Sequence, residues 1–415
     1  MKIIVKTMEG LEEVLTQELR DLHLTNIEPF NRGVSCEGSI AQLYKCNYQL
    51  RTAIRVLVPI KDFTIETQQD LYDCVRTIDW SQYIKDEKTT FAIGATVFGE
   101  LFTNSRFVTY RCKDAIVDQL SQEKGYRPNI ELDQPDIVIQ VHLAYNSLSI
   151  LLDSTGKSLH LRNYKERAYK APLNEVMAAG ILKISGWDGQ TTFVDPMCGS
   201  GTFTTEGLMI AANIPAGKFI ERFCFEQWTD FQPNIWKGVK EAADALMSAP
   251  KGEMIASDIN SYAVRDLKKN LQKLPYRDKI KIMEADFLNT EGRPDSFVFL
   301  NPPYDKRIQM RNIADFYSKI GDQLKASWQD SEAWVVSGNN QAMKNFGLKS
   351  SLKHKLDNGG IPSKLYKFEL YSGSRKTKYQ TDAPADAVTP VEPKPFAKFR
   401  KRKPYVPKPD SGASE

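Results

Sequence analysis

The sequence predicts an α/β protein in which a mostly parallel sheet follows a smaller α+β region. Three observations predict it. Residues 191–207, TTFVDPMCGSGTFTTEG, run from a short β-branched and aromatic stretch into a glycine turn and a helix start. Residues 296–304, SFVFLNPPY, are an apolar strand that stops at Asn-Pro-Pro-Tyr. Around these two stretches, strand-like and helix-like segments alternate, the order that builds a parallel sheet.

Length and charge set the wider frame. A chain of 415 residues with 41% apolar content suits two or three domains with real cores. It has no run of 18 apolar residues, and MKIIVKTMEG lacks a signal-peptide core, so a soluble, cytoplasmic protein is expected. Six cysteines without a C-x-x-C pair, and four dispersed histidines, suggest neither a disulfide framework nor a metal centre. The net charge of +4 belongs to the tail. From Ser372 onward there are ten Lys/Arg against five Asp/Glu, leaving 46 against 47 in the rest.

In chain order, residues 1–50 read as a small α+β segment. Ile3 to Val5 form a strand, and Leu11, Val14, Leu15, Leu19 and Leu22 share one helical face. A second strand lies near residues 31–37 and a second helix over 40–50. Residues 51–155 read as another α+β unit. RTAIRVLVPI and TFAIGATVFG are strands; Leu71, Val75 and Ile78 mark a helix; residues 106–122 form a helix carrying Arg106, Arg111 and Lys113. DIVIQVHLAYNSLSILLD is a strand pair turning at Tyr145-Asn146-Ser147. Residues 156–372 hold both motifs, with Pro172 at a helix start and Thr202 as the candidate N-cap after the glycine turn. Residues 213–250 read as an insertion in which Trp228 and Trp236 serve as packed cover. Residues 373–415 turn to Pro, Ala, Lys and Arg and are expected to be disordered. They make either a solubilising tail or an RNA clamp in which Phe396, Phe399 and Tyr405 stack among cations.

The glycine turn is not a phosphate loop, because no Gly-Lys-Ser/Thr follows, and its spacing is not G-x-G-x-x-G. By itself it reads equally well as a tight strand–helix connection. The carboxyl end of a strand is nevertheless where such sheets take an adenine-bearing cofactor. Asp258 ends the next strand, EMIASD, where a carboxylate can accept from ribose hydroxyls. Asp286 ends the strand KIKIMEAD. Each acid alone could be a helix cap; two at successive strand ends are harder to dismiss.

Together, DPMCGSGT and NPPY resemble the class I S-adenosylmethionine (SAM)-dependent methyltransferases that modify an exocyclic amine, a Rossmann-like fold. KDAIVDQL, GYRPNI, PDIVIQVHL and LLDSTGKSLHLRNY resemble a THUMP RNA-binding domain. Over residues 1–372 the chain is similar to THUMP-containing RNA guanine-N2 methyltransferases that act on 23S rRNA and tRNA. The resemblance implies SAM bound by Asp195, Pro196, Cys198, Gly199, Ser200, Gly201, Thr202, Asp258, Asp286 and Asn301, with Asp286 at the adenine amino group. It implies catalysis by Asn301, Pro302 and Tyr304, and RNA contacts from Arg106, Arg111, Lys113, Arg162 and Arg307. Arg162, Tyr164 and Arg167 fall in an LHxRxYR-like stretch, and Asp305-Lys306 stand where the family has Gly-Glu before arginine.

The chemistry follows from the motif. An exocyclic base amine is conjugated with its ring and is a poor nucleophile. Acceptors from the Asn301 side chain and the Pro302 carbonyl bias it toward a tetrahedral shape and stabilise the charge that develops. Tyr304 stacks on the base. A cytosine-C5 mechanism fits poorly, since the chain has no Pro-Cys pair. The same motif serves adenine N6, and a non-catalytic RNA-binding ribosome-assembly factor is the third reading.

Overall fold

The computed structural model describes residues 1–165, 173–303 and 313–372. Pro172, Arg167, Tyr304, Arg307 and the tail 373–415 lie outside the described residues.

Two seven-stranded sheets organise the described residues. The first runs β2 (Thr25–Phe30), β3 (Gly33–Glu37), β1 (Lys2–Lys6), β4 (Arg55–Thr64), β7 (Ser147–Asp153), β6 (Ile137–Ala144), β5 (Phe91–Phe98). Only β5 and β6 pair in parallel in this sheet. β4 pairs with β1 on one side and β7 on the other, so the sheet passes unbroken through the boundary drawn at residue 50. β2 has no counterpart in the sequence reading. It is an edge strand, largely exposed and containing Pro29, so it shows no apolar alternation.

Four helices cover this sheet: α1 (Glu12–Asp21), α2 (Ile40–Gln49), α3 (Gln68–Arg76) and α4 (Ser105–Lys124). Their starts are chemically marked. Ser39 and Gln42 form a reciprocal capping box on α2, and Asn104 accepts the N–H groups of Arg106 and Phe107 at α4.

The second sheet runs β10 (Ile280–Glu284), β9 (Met254–Asp258), β8 (Thr192–Asp195), β11 (Ser296–Leu300), β12 (Ser331–Ser337), β14 (Pro362–Leu370), β13 (Leu352–Asp357). The first five are parallel; β14 is antiparallel to both its neighbours. This is the class I methyltransferase architecture. Around it lie α5 (Glu175–Ser185), α6 (Thr202–Ala211), α8 (Ser261–Asn270) and α9 (Ile313–Ser327), while α7 (Pro233–Asp244), inserted between β8 and β9 in sequence, packs on the first sheet's core. The N-cap of α5 is Asn174, whose side chain accepts the Val176 and Met177 N–H groups.

The two sheets share their cores. Phe223, Phe225, Trp228, Trp236, Val239 and Ala243 pack into the core of the first sheet. Trp236 meets Tyr44 and Tyr48 of α2 edge-on, at 6.0 and 5.4 Å between ring centres. The two tryptophans are thus cover, as expected, but for the N-terminal sheet. In exchange, Met8 and Leu11 enter the core of the second sheet. Leu11 lies so close to α5 that a Cβ on Gly180 would sit 2.5 Å from its Cδ2.

Candidate active site at four strand ends

β10, β9, β8 and β11 are neighbours, so Asp286, Asp258, Asp195 and Asn301 lie at or just past the carboxyl ends of four adjacent parallel strands. A residue just past the end of a buried parallel strand is where the backbone leaves the ladder and side chains face the crevice.

The glycine turn is held from two sides. The Cys198 N–H donates to Ser257 O and the Gly199 N–H to Asp258 Oδ2, both at 2.9 Å. Asn270 Nδ2 of α8 donates to Ser200 O at 3.0 Å. Gly201 has φ +89° and would place a Cβ 2.1 Å from Leu267 Cδ1, so only glycine fits there. Gly201, not Thr202, occupies the N-cap of α6. Its left-handed backbone leaves Thr202 as the first helical residue, with its hydroxyl facing Lys165 instead. Pro196, Cys198 and Ser200 are buried beneath the turn, and burial pushes the Cys198 thiol far up, so it is an inert packing residue.

Asp258 accepts from Gly199 and, through Oδ1, from the Asn260 N–H at 2.9 Å. Asp286 caps a short 3₁₀ turn, accepting from the Leu288 N–H (3.0 Å) and from Asn289 Nδ2 (2.9 Å). Both acids therefore shape the site's backbone, and each oxygen keeps further acceptor capacity. Beyond Asp258, Ile259 and Tyr262 are 68% and 62% exposed, apolar surface beside the turn that the sequence reading passed over.

Asp195 is 1% exposed. Its Oδ2 accepts the N–H and hydroxyl of Thr204 (3.2 and 2.7 Å); among the described residues its Oδ1 has no hydrogen-bond partner. Burial pushes the carboxyl up to about 7; the Thr204 bonds oppose this and the Asp258 charge adds to it. The stability it contributes is complete below the unfolded carboxylate range, about pH 4. It is lost as pH rises through about 7. Asp195→Asn should therefore flatten the fall of melting temperature between pH 5 and 8 in the cofactor-free protein. The expected difference is on the order of a few kcal/mol across that interval. Parallel melting profiles for the two proteins would refute a titrating Asp195.

At β11, Asn301 Oδ1 is buried and also without a hydrogen-bond partner among the described residues. Pro303 O accepts from the Tyr317 hydroxyl at 3.3 Å, and that hydroxyl lies 3.0 Å from Ser337 Oγ. α9 and β12 thereby pin the Asn-Pro-Pro backbone, a support that lies too far along the chain to be read from the motif.

Two buried acceptors without partners, at adjacent strand ends beside a glycine turn, fit a ligand that brings its own donors. The family description "RMKL-like, methyltransferase domain" matches residues 162–367, "THUMP domain" matches 66–153, and "RlmL ferredoxin-like domain" matches 2–57. A Synechocystis sp. protein named as a candidate RNA methyltransferase is 37% identical over 368 residues, covering 87% of this chain and 95% of that protein. The chain belongs to this THUMP-containing family of class I SAM-dependent RNA methyltransferases.

A ribosomal RNA large subunit methyltransferase K/L of Vibrio parahaemolyticus is 29% identical across 86% of this methyltransferase and 51% of its own length. The chain spans about half the length of the K/L relatives it matches. A solved structure described as a candidate methyltransferase complexed with SAH superposes with TM-score 0.81 at 27% identity, covering 90% of this chain and 99% of that one. SAM is accordingly the cofactor.

The five arginines and lysines expected at RNA separate by environment. Arg106 is exposed on α4. Arg111 donates to Gln69 Oε1 at 2.6 Å and lies 4.4 Å over the Tyr72 ring, and Lys113 pairs with Asp114 at 2.7 Å. Arg162 is a correction. It is 2% exposed, donates to Leu159 O and Arg51 O, and lies 3.6 Å from Glu206 Oε1. A guanidinium so enclosed cannot reach a phosphate; it joins β4's lead-in to α6. Burial raises the Glu206 carboxyl above its usual range against the pull of Arg162 and Arg51. Arg307 lies outside the described residues. Among the described residues no helix is long and apolar enough to cross a membrane.

Proposed function

We propose that this enzyme methylates the exocyclic N2 amine of a guanosine in structured RNA, with 23S rRNA as the substrate. The observation that carries the reading is Asn301 Oδ1, a buried acceptor without a partner at the end of β11, one strand from the glycine turn. When bound, SAM supplies an electrophilic methyl group on a sulfonium. Asn301 Oδ1 and the Pro302 carbonyl accept the two amine hydrogens and turn the nitrogen lone pair toward it. The Tyr317 hydroxyl, itself paired with Ser337 Oγ, donates to the Pro303 carbonyl and holds the geometry of the motif. Asp258 would hold the ribose hydroxyls and Asp286 the adenine of the cofactor, and the motif's Tyr304 would stack on the target base. The THUMP-matching region, with Arg106 exposed on α4, presents the RNA to these strand ends. The names of the K/L relatives favour large-subunit rRNA over tRNA.

Nucleoside mass spectrometry on RNA from a strain lacking the gene tests this. The expected result is loss of one N2-methylguanosine from large-subunit rRNA, restored by the wild-type gene. Loss of N6-methyladenosine would assign the same acceptors to adenine, a tRNA position would move the substrate, and unchanged nucleosides would leave an RNA-binding assembly factor.

A further inference from the structure

We propose that α8 carries an RNA-contact surface of its own, a basic stripe of Arg265, Lys268 and Lys269 that holds phosphates flanking the target nucleotide. This rests on RNA being the substrate, as argued above. Residues 261–281 carry seven Lys/Arg against two Asp/Glu, in a chain that balances at 46 against 47 before its tail. α4, where RNA contacts are expected, carries only four against three. The excess on α8 lies on one face. Ala263, Val264, Leu267 and Asn270 are buried on the inner side. Tyr262, Arg265 and Lys269 recur at three- and four-residue spacing on the outer side, with the exposed Lys268 on its shoulder. The Arg265 guanidinium lies 5.0 Å over the ring of Tyr262, which is 62% exposed. Further on, Lys279 and Lys281 are held by Asp278 and Glu253. Among the described residues, Arg265, Lys268 and Lys269 pair with no acid, so their charge is free for a polyanion.

Position in the fold turns this charge toward the reaction. α8 starts just past the carboxyl end of β9, and β9 lies two strands from β11. At the usual strand spacing that is about 10 Å. A base delivered to Asn301 thus brings its neighbouring phosphates to the rim where α8 begins. From Tyr262 to Lys269 the stripe runs for about 10 Å at the helical rise. Cations along this length neutralise phosphates without reading sequence, and the Tyr262 face is open to an unstacked base.

The alternative is that Lys268 and Lys269 only complement the dipole at the last turn of α8. Methyl transfer by the full chain to 23S rRNA from the strain lacking the gene separates the two roles. The triple variant Arg265→Gln, Lys268→Gln, Lys269→Gln should raise KM for this RNA by about 10- to 100-fold near ~0.1 M salt. The slope of log affinity against log salt should flatten by about 2, roughly 0.7 for each lost contact to a single strand. SAM affinity by calorimetry, and the melting temperature, should hold. Lys268→Gln with Lys269→Gln carries the test if the triple variant does not fold. Lys237→Gln, Lys344→Gln and Lys349→Gln together make the same charge change at exposed positions on other elements and should leave KM unchanged. An unchanged KM and salt slope in the α8 variants, or an equal change in this control, would overturn the proposal. So would a lower melting temperature with an unchanged salt slope, the mark of the dipole role. A wild-type chain that does not methylate this RNA would overturn the substrate reading instead.

Discussion

Asn301→Ala should lower the rate of methyl transfer by at least about 10²- to 10³-fold, the scale for losing one preorganised group at a developing charge. SAM affinity and melting temperature should hardly change. The reason is the unpartnered Oδ1. A buried acceptor that makes no hydrogen bond among the described residues strands no donor of theirs when it is removed, so the usual stability penalty does not arise there. The backbone of the motif stays in place because Tyr317 holds Pro303, not Asn301. Single-turnover transfer of a labelled methyl, beside calorimetric titration with SAM, separates the two quantities. Wild-type single-turnover rates in Asn301→Ala would sink the amine-activation mechanism. A parallel loss of SAM affinity would instead support the cofactor contact that the resemblance implies for Asn301.

The second large effect concerns domain separation. A chain consisting of residues 156–372 should not fold, despite containing both sheet-end motifs. Phe223, Phe225, Trp228 and Trp236 are each at most 6% exposed and pack against the N-terminal core. Removing that core returns four large apolar side chains to water at ~2–3 kcal/mol each, together on the order of 10 kcal/mol. The whole stability of a domain is about 5–15 kcal/mol. The deletion also strips Met8 and Leu11 from the second core, and the Arg51 guanidinium from the carbonyls of Met209 and Ile214. Near-ultraviolet circular dichroism and limited proteolysis of 156–372 should report a loosely packed, protease-sensitive chain. A cooperative melt with SAM binding would show that the catalytic sheet stands alone. It follows that loss of activity in such a truncation cannot be assigned to RNA recognition. Exposed positions such as Arg106, altered in the full chain, are the cleaner probe of that surface.

Local features of the sequence determined most of the strands and helices and the order of the chemistry. A strand that stops at a glycine turn, two acids at later strand ends and an Asn-Pro-Pro-Tyr stop are all written within a few residues, because a parallel strand must end where its side chains meet the crevice. What tertiary structure alone decided was partnership. The LHLRNYK stretch displays two cations three residues apart in sequence, yet packing sends Arg162 inward to Glu206 and places Lys165 on Thr202. A positive φ at Gly201 moved the helix start by one residue and freed the Thr202 hydroxyl for that contact. The insertion's aromatics looked like cover, but their receiving surface, α2, lies nearly 200 residues earlier in the chain. Burial and pairing across such separations depend on which faces the two sheets present to one another, and residue type at one position carries no record of the face it will meet.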